Sequence, residues 1–201
     1  MTTESFLSLA LILFLIIDPI GSIPAISALI KDFDFQTQRR ILFRETWISF
    51  VIAIFFQYLG ETFLSIMGIE NYAIRITGGV LVFMVALQMI FPPESDTAEG
   101  STSKSKKEPF IFPIASPLLS GPGLLAIIMV ESRTQDPFTL TLALIVAWIG
   151  VFAVLAVAPY LQKILKRNGL IALEQVMGMV LGMLAVEMIV KGVSNFIENA
   201  S

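Results

Sequence analysis

The sequence predicts an all-α membrane protein, with six transmembrane helices arranged as two inverted three-helix repeats and with helices 1 and 4 broken. Three observations lead there. First, 56% of the 201 residues are apolar, only 14% are charged, and the mean hydropathy is +0.84. A soluble domain is about 45–50% apolar and about a quarter charged. Second, uncharged runs recur along the chain, at Phe6–Ile17, 48–56 and 140–157. A fold of this size has too little interior to bury them all, so they face lipid. Third, two short proline-containing motifs stand at corresponding places in the two halves.

The six spans fall at 5–30, 42–63, 72–91, 110–130, 138–160 and 171–197. At roughly 20 residues each they use about 120 residues, which leaves short loops and no second soluble domain. The N-terminus, Met1-Thr2-Thr3-Glu4-Ser5, lacks the basic stretch of a cleavable signal peptide, so the first apolar run is expected to stay as a span. Residues 1–91 form the first repeat and 110–201 the second. Between them, 92–109 is polar, of low complexity and unable to pack, which predicts a flexible cytoplasmic linker.

Basic residues set the orientation. Lys31, Arg39, Arg40 and Arg44 follow span one, Lys104, Lys106 and Lys107 follow span three, and Lys163, Lys166 and Arg167 follow span five. Only Arg75, Arg133 and Lys191 fall on the other side. The bias predicts cytoplasmic linkers and two periplasmic termini.

Composition also excludes chemistry. The chain has no His, which removes a Ser-His-Asp hydrolase, a histidine proton shuttle and histidine metal ligation. It has no Cys, which removes disulfides, thiolate nucleophiles and cysteine-ligated metals. A net charge of −3 gives no reason to expect a nucleic-acid partner. No cofactor is expected beyond a coupling Na⁺ or H⁺.

The first motif is Asp18-Pro19-Ile20-Gly21-Ser22-Ile23-Pro24. Pro19 breaks helical hydrogen bonding, Gly21 relaxes the backbone, and Ser22 suits the cap of a new helix with Pro24 in its first turn. The expected result is a helix that ends near Asp18 and a half-helix that starts near Ser22. Backbone groups freed there must face protein or a polar cavity. The amides at the start of the half-helix suit a carboxylate. Asp18 suits an ammonium, Na⁺ or H⁺. A plain proline kink with Asp18 as a cap is the alternative.

The second motif, Ser116-Pro117-Leu118-Leu119-Ser120-Gly121-Pro122-Gly123, repeats the pattern at an offset of 98 without the acid. Spans three and six match at an offset of 99, where Gly79 pairs with Gly178, Ala86 with Ala185, and Gln88-Met89-Ile90 with Glu187-Met188-Ile189. A unit of three spans is odd, so the second copy crosses in the opposite sense. Inverted repeats with two interrupted helices are the sequence sign of a secondary transporter. The candidate substrate-binding residues are Asp18, Gly21, Ser22, Ser116, Ser120, Gly121 and Gly123, with Asp18 also the ion-coupling residue.

Other polar groups carry weaker signals. Gln57, Thr77, Gln88, Gln175 and Glu187 either line a cavity or make ordinary interhelical bonds, and Glu187 is placed to pair with Lys191. Gly79, Ala86, Gly178, Gly182 and Ala185 read as a close helix-packing face. Trp47 and Trp148 are placed at membrane interfaces.

At Asp18-Pro19-Ile20-Gly21-Ser22-Ile23-Pro24, Arg39-Arg40 with Arg44-Glu45, Ile76-Thr77-Gly78-Gly79 and 113–122, the chain resembles the MarC family of bacterial inner-membrane proteins over nearly its whole length. The resemblance implies six spans, and some relatives are described as transporters of small neutral amino acids such as glycine and alanine. The family name comes from a multiple-antibiotic-resistance locus, which does not establish drug export. Many members have Asn where this chain has Asp18, and Asn cannot take a proton, so the resemblance leaves the coupling ion open. The leading reading is an ion-coupled transporter of small neutral amino acids or similar zwitterions. The alternative is a channel or structural membrane subunit without coupled transport. An embedded enzyme ranks third.

Overall fold

The computed structural model describes residues 3–30, 33–91 and 119–200, and every regular element among them is helical. The expected linker 92–109 and the start of the fourth span, including Ser116 and Pro117, lie outside the described residues. The elements are α1 (Thr3–Ile17), α2 (Ile23–Ile30), α3 (Phe35–Ile66), α4 (Asn71–Ile90), α5 (Pro122–Thr134) and α6 (Pro137–Ala200).

The first span is two pieces. At 1.5 Å per residue, the 15 residues of α1 reach about 22 Å and the 8 residues of α2 about 12 Å. Neither crosses a hydrocarbon core of about 30 Å alone. The expected break is therefore present, at residues 18–22.

Helix α3 starts where Asp34 accepts hydrogen bonds from the amides of Gln36 and Thr37, both at 3.2 Å. It ends at Gly68, which takes φ +66°. There the Gly68 amide donates to Ser65 and the Ile69 amide to Leu64, a paired closure that satisfies the last carbonyls. The short link leads into α4, which packs against α5 and α6, while α3 also packs against α5 and α6. Asp136 starts α6 by accepting from the Thr139 amide at 3.1 Å, with Pro137 next in line.

Helix α6 spans 64 residues without a break in its helical pattern. A straight helix would place Gly150 and Met188 about 57 Å apart. Yet Gly150 packs on the ring of Phe14, while Met188 shares a small cavity with Ile12 and Ile16 of the same helix α1. The run therefore doubles back, and its two arms, Pro137–Ala158 and Asn168–Asn199, are each long and apolar enough to cross a membrane. Phe35–Ile66 and Asn71–Ile90 qualify as well. With these four stretches, the chain is an integral membrane protein.

The outward faces agree. On α3 the exposed residues Phe43, Trp47, Val51, Phe55, Leu59 and Phe63 recur every fourth position, while the buried face carries Glu45, Thr46, Ser49 and Gln57. The apolar stripe faces away from the protein and the polar one faces in, as a lipid solvent requires. The main core joins α1, α2, α3, α5 and the first arm of α6. Trp148 lies inside it, donating to the Thr46 carbonyl at 3.2 Å, so it is a packing residue rather than an interface anchor. Trp47 is exposed.

Helix α4 packs along the second arm of α6 through the expected small residues. A Cβ on Gly79 would meet the Ala185 carbonyl and Ile189, and a Cβ on Gly178 would meet the Ala86 carbonyl and Ile90. These contacts are reciprocal. Positions 79 and 178, 86 and 185, and 90 and 189 are also the residues that match at an offset of 99. The antiparallel pair is two-fold symmetric in contacts and in residue type alike.

Candidate functional site

The site begins at the break in the first span. Asp18 has φ +46°, the only non-glycine residue with positive φ among those described. Asp tolerates this region better than most residues because its short side chain bonds locally. Here Oδ1 accepts the Gly21 amide at 3.0 Å. The Asp18 carbonyl accepts the Ser22 amide at 3.1 Å and the Ser22 hydroxyl at 2.8 Å. Ser22 thus stands at the expected cap position of α2, but its hydroxyl donates backward instead of accepting from the new helix. Gly21 is required by close approach, since a Cβ there would strike the Asp18 carboxylate and the tip of Met89.

Asp18 is 5% exposed. No donor among the described residues reaches its Oδ2. The residue lines a half-open cavity of about 620 Å³ walled by α1, α2, α4, α5 and the second arm of α6. The same cavity receives Gly21, Ser22, Gly121 and Gly123. Five of the seven candidate residues from the sequence therefore meet in one space, although 103 positions separate the first from Gly121. Ser116 lies outside the described residues.

Ser120 does not join them. Its hydroxyl donates to the Ser49 carbonyl at 2.9 Å and lies 2.6 Å from the Ser49 hydroxyl, and the residue is 1% exposed. It ties α5 to α3. The start of α5 is taken by Gly121 as cap and Pro122 in the first turn, with no side-chain cap. Gly123 also serves packing, because a Cβ there would meet Val82 of α4.

The starts of α2 and α5 both lie on the cavity. Among the described residues, the first-turn amides of Gly123 and Leu124 in α5 and of Ala25 in α2 have no acceptor. All three residues line the cavity. Unbonded amides at a helix start carry partial positive charge and suit an anionic group. One wall thus offers positive partial charge and another offers the free oxygen of Asp18.

Of the weaker candidates, Gln88 lines the cavity. Gln57 instead donates to Pro137 and Thr141, Gln175 donates to the Ile90 carbonyl, and Glu187 pairs with Lys191 at 2.7 Å. Glu174 was not singled out by sequence reasoning, yet it lines the cavity. The signal was available: an acid four residues before a packing glycine in an apolar stretch. Beyond the cavity, Ile16 also borders a smaller one of about 90 Å³, where Arg75 faces Glu131 at 3.7 Å and Glu187 holds Lys191. Among the described residues no three acids cluster as a metal site.

A family model described as MarC family integral membrane protein matches residues 3–197. The chain belongs to the MarC family. Relatives in this family include the inner membrane protein YhgN of Escherichia coli strain K12, 35% identical over 94% of this chain and 96% of the relative. A membrane protein of Buchnera aphidicola subsp. Acyrthosiphon pisum is 34% identical over 96% of this chain and 98% of its own length. One from Chlamydia pneumoniae is 32% identical over 94% and 93%. No solved structure matches. The MarC family match and the four apolar stretches agree that this is a membrane-embedded chain.

Proposed function

We propose that this MarC family chain is a secondary transporter of small neutral amino acids or similar small zwitterions across the bacterial inner membrane, coupled to H⁺ or Na⁺. The observation that carries the reading is one cavity lined both by residues with free helix-start amides, Ala25, Gly123 and Leu124, and by Asp18. A zwitterion needs both signs of partner in one place, and a volume of about 620 Å³ is in the range of small-molecule sites. Asp18, Gly21, Ser22, Gly121 and Gly123 form the binding wall. The reciprocal α4–α6 contacts support two inverted three-helix repeats, a design that alternates access to a central site. In this reading both termini are periplasmic, which a reporter fused after Ser201 and active only in the cytoplasm would contradict.

The test is uptake into proteoliposomes of a radiolabelled amino-acid panel, with and without Na⁺ and pH gradients. Saturable, gradient-dependent uptake of glycine or alanine supports the reading. Flux without saturation identifies a channel instead, and no flux of any member leaves a structural subunit.

A further inference from the structure

Asp18 carries two duties in the reading above, as partner of the ammonium and as coupling residue, and one carboxylate serves both poorly. The cavity contains a second acid. Glu174 lies near the start of the second arm of α6, half-buried, with its residue on the cavity wall. Its position relative to Asp18 follows from packing. Met89 fills the space beside Gly21 at the break and also abuts Gly178, which is one helical turn from Glu174. No hydrogen bond or ion pair holds Glu174 among the described residues, and no Lys or Arg among them lines the cavity.

The two acids differ in access. Asp18 is 5% exposed, commits Oδ1 to the Gly21 amide and has no donor at Oδ2 among the described residues, so it offers one oxygen to the cavity. A single oxygen on a largely buried residue suits a small cation. Glu174 is more exposed and has a longer side chain with both oxygens open, which suits the several donors of an ammonium group. Gln175, its neighbour, bonds the Ile90 carbonyl, which places this part of α6 beside the end of α4.

We propose that Glu174 binds the amino group of the substrate, leaving Asp18 for the coupling cation. This rests on the transporter reading and adds a substrate class: a primary amine carrying no net negative charge. Dicarboxylic amino acids are excluded because the wall offers two acids and, among the described residues, no base. The carboxylate end of a zwitterion then lies at the amides of Ala25, Gly123 and Leu124.

The test measures binding of radiolabelled alanine to the purified full chain in detergent, with ethylamine, propionate and aspartate as competitors. Wild type is expected to bind alanine, to be competed by ethylamine, and to ignore aspartate. Glu174→Gln is expected to weaken alanine about tenfold or more and to abolish competition by ethylamine, since a charge-assisted hydrogen bond is lost. The dependence of the remaining binding on Na⁺ or pH is expected to match wild type. Glu174→Asp, which keeps the charge on a shorter arm, is expected to fall between and controls for misfolding. Equal alanine affinity in wild type and Glu174→Gln would overturn the assignment while leaving transport intact, as would loss of cation dependence in Glu174→Gln. Ethylamine binding that requires Glu174, with no alanine binding, would keep the amine contact and remove the amino-acid reading. Neither ligand binding to wild type would remove both.

Discussion

Replacing Asp18 separates its structural role from its chemical one. Its Oδ1 holds the Gly21 amide at 3.0 Å inside the break, and its backbone sits at φ +46°. Asn keeps an oxygen acceptor in place and tolerates this backbone region, so Asp18→Asn is expected to change stability by less than about 1 kcal/mol. Ala loses on both counts. Left-handed backbone costs an ordinary residue about 1–2 kcal/mol, and an amide left without its acceptor in a buried site costs about 1–3 kcal/mol. Asp18→Ala is therefore expected to lose about 2–5 kcal/mol, read as thermal unfolding of the purified protein in detergent. Transport divides the variants differently. Asn removes the negative charge at Oδ2, so Asp18→Asn is expected to abolish proton-driven uptake, or to weaken Na⁺-driven uptake while the fold persists. Uptake assays in proteoliposomes with imposed gradients read this directly. Equal destabilisation by Asn and Ala would refute the role given to Oδ1. Unchanged rate, affinity and ion dependence in Asp18→Asn would reduce Asp18 to a cap and move the site to the backbone amides alone.

Other perturbations test the surrounding frame. Gly79→Ala places a Cβ 2.9 Å from the Ala185 carbonyl, and overpacking of this kind costs about 1–3 kcal/mol; Gly182→Ala has its nearest neighbour at 3.7 Å and is expected to stay within about 0.5 kcal/mol in the same unfolding assay. Ser120→Ala removes the tie to Ser49 and is expected to lower stability by about 1 kcal/mol while leaving the KM of the folded fraction unchanged, because its hydroxyl is directed to α3; a shifted KM would return Ser120 to the binding wall. The Thr37 hydroxyl, followed by the Thr37 and Gln36 amides, holds the Asp34 carboxyl below the usual range at the start of α3. The folded form thus releases this proton more readily than the unfolded one, so the contribution is present above the ordinary carboxylate pKa and fades as pH falls through the lowered value. The stability difference between wild type and Asp34→Ala, followed by acid titration, is expected to shrink below about pH 4.

Much of the architecture was legible in the chain because its signals are local. Apolar runs mark lipid-facing helices wherever they stand, since no tertiary contact can hide that much apolar surface in so small a protein. The break at 18–22 was legible because Pro19 and Gly21 act on their own backbone. The glycines of α4 and the second arm of α6 were legible because small residues at matching positions announce close packing. What needed the tertiary structure was the direction in which each polar side chain points. Ser22 and Ser120 are the same residue type in matching motifs, yet one lines the cavity and the other is bonded to Ser49 of α3, 71 positions away in sequence. Trp148 reads as an interface anchor by composition, and the carbonyl of Thr46, 102 positions away, makes it a core residue. Glu174 was overlooked for the same reason: in sequence it is one acid near a span end, and only the folding back of α6 against α4 turns it toward Asp18. Helical propensity, lipid preference and backbone breaks belong to residues and their near neighbours, so sequence by itself determined them. A cavity belongs to surfaces from five helical segments at once, and the closing of those segments on one another decided which groups it contains.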